Sequence, residues 1–281
     1  MRKKGKLTFI LLVCLIIATG FYLYIQKHGV VKTAGESIQI SAGQAILTDG
    51  KTGRVIYERH ADEKAYPAST TKIMTALITI ETLEKYDSPM EQKVRVPAEA
   101  AGVEGSSIYL AQEEEISIED LLYGLMLVSG NDTATALACI IGGDEKTFVG
   151  MMNDRAEALG CTGTNFTNSS GLFDENHYTT ARDMAKISRE AMKNKIFRRI
   201  VGTRDWQACR EESQYNSFHN KNKTVHEFEG GNGVKIGYTE SSGRTLVASA
   251  KRGKRTMICV VMSAPDWFND AYRLMELGFK K

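Results

Sequence analysis

Three short stretches of this chain place hydroxyl and amine groups at spacings that suit acyl transfer. In P-A-S-T-T-K-I-M-T-A (67–76), Ser69 is the only serine followed three residues later by a lysine, Lys72. Residues three apart are neighbours on a helix, so the lysine amine would stand beside that hydroxyl. A serine hydroxyl is a poor nucleophile until a base accepts its proton. Lysine can be that base only if its pKa, ordinarily ~10.4, falls by about 2–4 units through burial and nearby positive charge. In S-G-N (129–131), Ser129 is likewise the only serine with an asparagine, Asn131, two residues on. The third stretch is Lys235-Ile236-Gly237, inside G-N-G-V-K-I-G-Y-T. Alone, Ser69 reads as an ordinary N-cap and Lys72 as a solvated first-turn residue, and any one of these patterns arises by chance. Their order and their flanks give them weight together. A literal K-T-G, Lys51-Thr52-Gly53, precedes Ser69 and sits in D-G-K-T-G, the composition of a hairpin turn.

These side chains need elements to hold them. A-I-L-T-D-G-K-T-G-R-V-I-Y-E-R reads as two short strands around that turn. From Ser69 to about Leu83 the chain is apolar almost all round, which predicts a helix buried on most sides with its first turn facing a cleft. S-I-E-D (117–120) is a capping start for a helix through Leu121, Leu122, Leu125 and Met126, broken at Ser129-Gly130. Asp132 can cap the next helix, so 129–131 form a corner between two helices. Helices are also predicted from Asp144 to Leu159 and from Thr180 to about Lys193. From 234 onward V-K-I-G-Y-T, R-T-L-V-A-S-A and R-T-M-I-C-V-V-M are β-rich, with K-R-G-K-R (251–255) as a charged hairpin turn, and W-F-N-D-A-Y-R-L-M-E-L-G-F closes as a helix. Strands at both ends and helices between imply an α+β domain, an antiparallel sheet flanked by helices.

P-A-S-T-T-K-I-M-T-A, G-S-S-I-Y-L, L-L-Y-G-L-M-L-V-S-G-N-D, F-T-N-S-S-G-L and G-V-K-I-G-Y-T together resemble the serine D-alanyl-D-alanine carboxypeptidases, the low-molecular-mass penicillin-binding proteins. The resemblance runs from about Ala45 to the C-terminus and implies the β-lactamase/transpeptidase-like fold. It implies Ser69 as acyl nucleophile, Lys72 as its base, Ser129 as proton relay to the leaving amine, and Asn131 as the residue orienting Lys72 and the substrate amide. Lys235 would supply positive potential for the substrate carboxylate, with Ile236 and Gly237 beside it. The N–H groups of Ser69 and Tyr238 would form the oxyanion hole, a device worth ~3–4 kcal/mol per donor. The implied partners are a peptidoglycan stem peptide ending in D-Ala-D-Ala and β-lactams as acylating inhibitors, without cofactor or metal.

The pattern departs from the family at Ile236, where threonine or serine is usual. That hydroxyl helps hold the carboxylate, a hydrogen bond of roughly 1.5–3 kcal/mol. Arg273 is the nearest candidate for the arginine that many relatives carry as a further carboxylate anchor. Two other functions compete: a β-lactamase, which lacks its E-x-x-L-N element here, and a non-hydrolytic wall- or antibiotic-binding module, motivated by Ile236. The histidines (28, 60, 177, 219, 226) show no H-E-x-x-H spacing, and G-x-S-x-G is absent, which argues against a zinc peptidase and an α/β-hydrolase.

A chain of 281 residues is long enough for one large domain, and 36 basic against 34 acidic residues are far from the footprint of a nucleic-acid binder. The N-terminus differs from the rest. M-R-K-K-G-K (1–6) is a basic cytoplasmic end, and 7–25 is an uncharged apolar segment, L-T-F-I-L-L-V-C-L-I-I-A-T-G-F-Y-L-Y and Ile25, of bilayer-spanning length. Its terminal Phe21, Tyr22 and Tyr24 favour an anchor over a signal peptide cleaved near Ala18-Thr19-Gly20. Residues 26–43 read as a linker and 44–281 as the penicillin-binding domain, outside the cytoplasm and tethered to the plasma membrane or secreted after cleavage. Cys14 lies in the apolar segment; Cys139 and Cys259 read as buried small hydrophobes, and no disulfide is assignable from the spacing of the others, Cys161 and Cys209.

Overall fold

The computed structural model describes residues 38–211 and 213–281. The basic end, the apolar segment and most of the linker read from the sequence therefore lie outside the described residues. The packed body begins at Ile38. There Ile38 and Ile40 rest on the apolar cluster beneath the last helix, and Ser41 donates through N–H and Oγ to Asp270 at 2.7–3.0 Å.

Five strands form one antiparallel sheet: β1 (Gln44–Asp49), β2 (Val55–Arg59), β7 (Gly231–Thr239), β8 (Gly243–Arg252) and β9 (Arg255–Met262), in the order β2-β1-β9-β8-β7. The N-terminal hairpin thus joins the C-terminal strands, as the position of the β-rich segments implies. Lys51-Thr52-Gly53 is the exposed turn between β1 and β2, with Asp49 accepting from Thr52 N–H, and has no part in the cleft. Two short ribbons stand apart: β3 (Lys93–Arg95) with β4 (Glu115–Ser117), and β5 (Asp205–Gln207) with β6 (Ser217–His219).

Helices cover both faces of the sheet, so β8 and β9 are buried on both sides and read as continuous apolar runs rather than alternating ones. On the outer face lies α8 (Trp267–Lys280), whose Ala271, Leu274 and Met275 pack on Leu47, Leu246, Ala248 and Met257. On the inner face lies the larger core around α1 (Lys72–Lys85), which is buried continuously from Lys72 to Ile80. Around it stand α2 (Ile118–Tyr123), α3 (Asn131–Gly142), α4 (Glu145–Ala158), α5 (Ala181–Ala191) and α6 (Lys195–Gly202), with the single turn α7 (Thr224–Glu227) before β7. Ser117, Asp144 and Thr180 cap α2, α4 and α5 through their side chains, the satisfaction of first-turn N–H groups that their sequence positions predict.

Three local expectations need correction. The helix expected from Ser69 opens as a 3₁₀ turn over Ala68–Thr71, and the α-helix begins at Lys72. The one expected through Met126 is α-helical only to Tyr123, then widens to a π turn over Gly124–Val128. Asp132 does not cap α3; it sits in its first turn and accepts from Ser107 Oγ (2.6 Å) and the N–H groups of Ile108 (3.0 Å) and Leu110 (3.1 Å). A buried carboxylate needs such donors, and here they tie the G-S-S-I-Y-L loop to α3. The four described cysteines are free thiols; Cys259 is buried as expected, whereas Cys139 is only partly so and Cys161 is the other buried one.

Candidate active site

The Pro67 carbonyl anchors the turn that carries Ser69. It accepts from Thr70 N–H (3.2 Å), Thr70 Oγ1 (2.7 Å) and Thr245 Oγ1 of β8 (3.1 Å). Ala68 takes φ +47°, a left-handed conformation that an L-residue holds only where its surroundings fix it. Gly171 is one such constraint: a Cβ there would collide with the Ala68 carbonyl. Gly237 is another. Edge strand β7 crosses the turn so closely that a Cβ at 237 would stand 2.8 Å from Ser69 N and 2.6 Å from Thr245 Oγ1. The glycine of K-x-G is thus required by the approach of strand to nucleophile turn. Gly237→Ala should cost on the order of 10²–10³ in acylation by displacing Ser69, with little change in unfolding midpoint; acylation kinetics and a thermal melt on the same protein check both.

Lys72 lies one helical turn into the protein and is fully buried. Its Nζ stands 3.0 Å from Ser69 Oγ, 2.7 Å from Asn131 Oδ1 and 2.6 Å from the Ser170 carbonyl. Asn131 Nδ2 donates to the Glu104 carbonyl at 2.7 Å, which fixes the amide so that its oxygen faces the lysine. Asn131 Oδ1 and Ser170 O can only accept. A neutral amine therefore spends its two N–H bonds on them, and its lone pair is left for the Ser69 hydroxyl. Burial pushes the Lys72 pKa down to about 7, helped by Lys221 and opposed by Asp132. The cation that adds to burial is Lys221, a residue that the sequence motifs do not single out.

Ser129 follows the π turn with φ +71°, and Gly130 N–H returns to the Gly124 carbonyl at 3.1 Å. This corner presents Ser129 Oγ to Lys235 Nζ at 2.8 Å, while Asn131 N–H donates to Ser106 O. Lys235 is buried, also reaches the Ile236 carbonyl (3.0 Å), and has its pKa held well below the usual lysine value by burial, then by Lys72 and Lys221. Lys235 and Gly237 face the helical side. Ile236 and Tyr238 alternate to the other face, where Ile236 packs on the outer cluster and Tyr238 is exposed. Thr239 N–H turns inward to Ser242 Oγ at the β7–β8 turn, so the Tyr238 N–H, one residue before, faces the free edge of the sheet near Ser69. Ser69 N–H belongs to a first turn, whose donors have no intrahelical acceptor.

The structure thus brings Ser69, Lys72, Ser129, Asn131, Lys235, Gly237 and the Tyr238 backbone to one cleft. It does not bring Arg273, which lies on α8 on the outer face and is engaged by Asp266, Asp270 and the Gln39 carbonyl. Sequence reasoning did not assign the Ser170 carbonyl, Lys221 or His177. Thr167 N–H donates to His177 Nδ1 (3.0 Å), so its Nε2–H must donate to Thr71 Oγ1 (2.8 Å) behind the nucleophile turn. Burial lowers the imidazole pKa to about 4 and keeps it neutral in that role. F-T-N-S-S-G-L was a visible motif, but a backbone carbonyl leaves no residue-type signal.

The D-alanyl-D-alanine carboxypeptidase family model (peptidase S11) matches residues 30–266. The chain is 38% identical over 223 residues to D-alanyl-D-alanine carboxypeptidase DacF of Bacillus subtilis, covering 79% of this chain and 57% of that protein. It is 32% identical to DacC of Escherichia coli, covering 87% and 63% respectively, so it spans less than two thirds of either relative. The crystal structure of the Streptomyces K15 DD-transpeptidase superposes with a TM-score of 0.80 at 30% identity, over 88% of this chain and all of that one. With a family match over most of its length and the serine–lysine cleft that its motifs announce, the chain belongs to the D-alanyl-D-alanine carboxypeptidase family.

Proposed function

We propose that this protein is a serine D,D-carboxypeptidase that removes the terminal D-alanine from peptidoglycan stem peptides through an acyl-Ser69 intermediate. The observation that carries the reading is the Lys72 amine, clamped by two carbonyl acceptors with its lone pair toward Ser69 Oγ at 3.0 Å. Ser69 attacks the carbonyl between the two D-alanines as Lys72 takes its proton. The oxyanion receives the Ser69 and Tyr238 N–H groups. Ser129 passes a proton to the departing amine and is reprotonated by the Lys72 ammonium, which leaves Lys72 neutral again, and the Lys235 amine beside Ser129 sets the potential for that transfer. D-Alanine leaves, and water, deprotonated by the same lysine, hydrolyses the ester. Burial pushes both lysines toward neutrality, with Lys221 lowering both and Lys72 lowering Lys235 further; a substrate carboxylate at Lys235 restores that charge and leaves Lys72 as the free base. The N-terminal basic and apolar segments support a body held outside the cytoplasm on the membrane, where such peptides are found.

Release of D-alanine from an acylated Lys-D-Ala-D-Ala peptide by the purified protein is the test. Release is expected, with complete loss after about one equivalent of a β-lactam; a protein that is acylated but never releases D-alanine would instead be the non-hydrolytic binding module. Ile236→Thr exchanges a side chain packed on the outer cluster for one whose hydroxyl can turn to the free edge of β7, and it should raise kcat/KM for the peptide at least about 10-fold, since such a bond to a carboxylate is worth roughly 1.5–3 kcal/mol. An unchanged value would show that this chain holds the carboxylate by other groups.

A further inference from the structure

The charge of the chain is nearly balanced, +2 in all, but it is not evenly spread. Two turns meet at one end of the five-stranded sheet. Gly50 N–H of the β1–β2 turn donates to the Thr256 carbonyl at 2.7 Å, beside the β8–β9 turn in which Arg252 faces Arg255. The last turn of α8 joins them: Arg255 donates to the Phe279 carbonyl at 3.0 Å, and Arg252 lies over the Phe228 and Phe279 rings. Lys51 and Arg54 from the first turn, Lys251 and Lys254 from the second, and Lys280 and Lys281 from the helix end are all exposed. Among the described residues none of these six forms an ion pair. The nearby anions are committed, Glu229 and Glu276 to Arg252, and Asp49 to the N–H groups of Lys51 and Thr52. Arg189 of α5 adds a further cation, donating to the Lys51 carbonyl at 3.0 Å while its Nε is buried without a partner. Unpaired cations gathered on one end repel one another, and an anionic surface relieves that repulsion.

The direction of the chain supplies an independent observation. Ser41 bonds Asp270 in the first turn of α8, and the Gln39 carbonyl lies 3.5 Å from Arg273 Nη1, nearly a turn further along. Followed backward from Ser41, the chain therefore runs along α8 toward Lys280 and the basic end. Residues 26–37 then separate Ile38 from the uncharged apolar segment 7–25. They span at most about 40 Å when extended, so a bilayer holding that segment is within reach of the basic end. The cations project from two turns and a helix terminus, and a flat anionic sheet can meet them all at once.

We propose that this end of the sheet is a membrane-contact face, whose exposed lysines and Arg54 engage anionic phospholipid headgroups and hold the body in one orientation on the bilayer. This rests on the reading of 7–25 as an anchor. The orientation suits the cleft. Gly231 pairs with Ala250 next to the basic turn, whereas Tyr238 pairs with Arg244 toward the opposite end of β7 and β8. The oxyanion donor is thereby held roughly 20 Å above the headgroups, at seven residues of strand from Lys251.

The test follows amine labelling, residue by residue through peptide mapping, on the full chain in nanodiscs of phosphatidylcholine alone or of phosphatidylcholine mixed with phosphatidylglycerol. Lys51, Lys251, Lys254 and Lys280 are expected to label at least about fivefold more slowly in the anionic discs. Lys93 on β3 and Lys146 at the start of α4 should keep their rates within about twofold, and high salt should abolish the difference. Lys251→Glu with Lys254→Glu should return Lys51 and Lys280 to the neutral-lipid rate, with D-alanine release from a soluble peptide within about twofold of the parent. The same charge reversal at Lys93 and Lys146 should leave the slow labelling in place. Equal labelling in the two lipids, or equal slowing at Lys93 and Lys146, would overturn the proposal. So would protection by soluble polyglycerol phosphate that phosphatidylglycerol does not give, which would assign this end to a wall polymer. A chain that leaves neutral discs in high salt would sink the anchor reading. Partition of that chain onto phosphatidylglycerol vesicles then reads the basic end alone: a fall of roughly 25-fold in the double variant supports the face, and an unchanged partition overturns it.

Discussion

Ser69→Ala is expected to reduce D-alanine release by on the order of 10⁴–10⁶ and to abolish the mass increase that a β-lactam leaves on the protein, with the unfolding midpoint within a few degrees of the parent. The size of the loss follows from the role proposed for the oxygen, the atom that bonds to the acyl carbon, without which the residual rate would come from binding and the oxyanion donors alone. The harmlessness to the fold follows from its partners. Ser69 Oγ meets Lys72 Nζ, whereas the turn itself is held by Thr70 and Thr245 on the Pro67 carbonyl. Lys72 keeps its two carbonyl acceptors in the variant. Release that persisted in Ser69→Ala would move the nucleophile elsewhere, to Ser129 or to water acting directly. Mass spectrometry of the acylated protein, with peptide mapping of the adduct, decides between these.

That Ser69 and Lys72 meet was legible because register on a helix is a local property, readable from a spacing of three even though the first turn proved to be 3₁₀. Ser129 and Asn131 were legible as a corner because Gly130 and a change of apolar period mark it. The sheet followed from β-rich segments at both ends, whose pairing β1–β9 closes the domain. What the sequence concealed is of another kind. Ser170 contributes a carbonyl, which every residue type has. Asp132 looked like a cap because caps and loop anchors use the same side chain, and only the fold shows which N–H groups arrive. Lys221 lies far along the chain from both Ser129 and Lys72, in a turn with no periodic signal. Arg273 was the nearest arginine in sequence, but the sheet stands between it and the cleft.

Acylation should depend on a group that loses its proton near pH 7, and Lys72→Met should lower kcat/KM by on the order of 10²–10⁴ while flattening that dependence. The buried Lys72 has its pKa lowered from 10.5 to about 7. Attack requires the free amine, so kcat/KM rises with pH through about 7 and levels above it. Because the Lys221 charge is one of the forces holding Lys72 down and Asp132 opposes it, Lys221→Met should move the rising limb to higher pH. The same shift has a stability consequence of definite sign. An unfolded lysine keeps its proton up to about pH 10.5 and the folded one only to about 7, so between those values the unfolded chain binds more protons and stability rises with pH. Below 7 the folded protein carries a buried ammonium, and the full cost is present. Lys72→Met escapes that cost, so its unfolding midpoint, compared with the parent's, should be relatively highest at pH 6 and lose that advantage toward pH 10. The two unsatisfied carbonyls it leaves behind lower its stability by an amount that does not vary with pH. The narrowing of the gap is therefore the decisive reading, and a gap independent of pH would mean that Lys72 titrates normally and cannot be the base. A lysine that destabilises the fold at neutral pH, yet is clamped by Asn131 and Ser170 with its lone pair toward a serine, is explained by the reaction and by nothing in the packing.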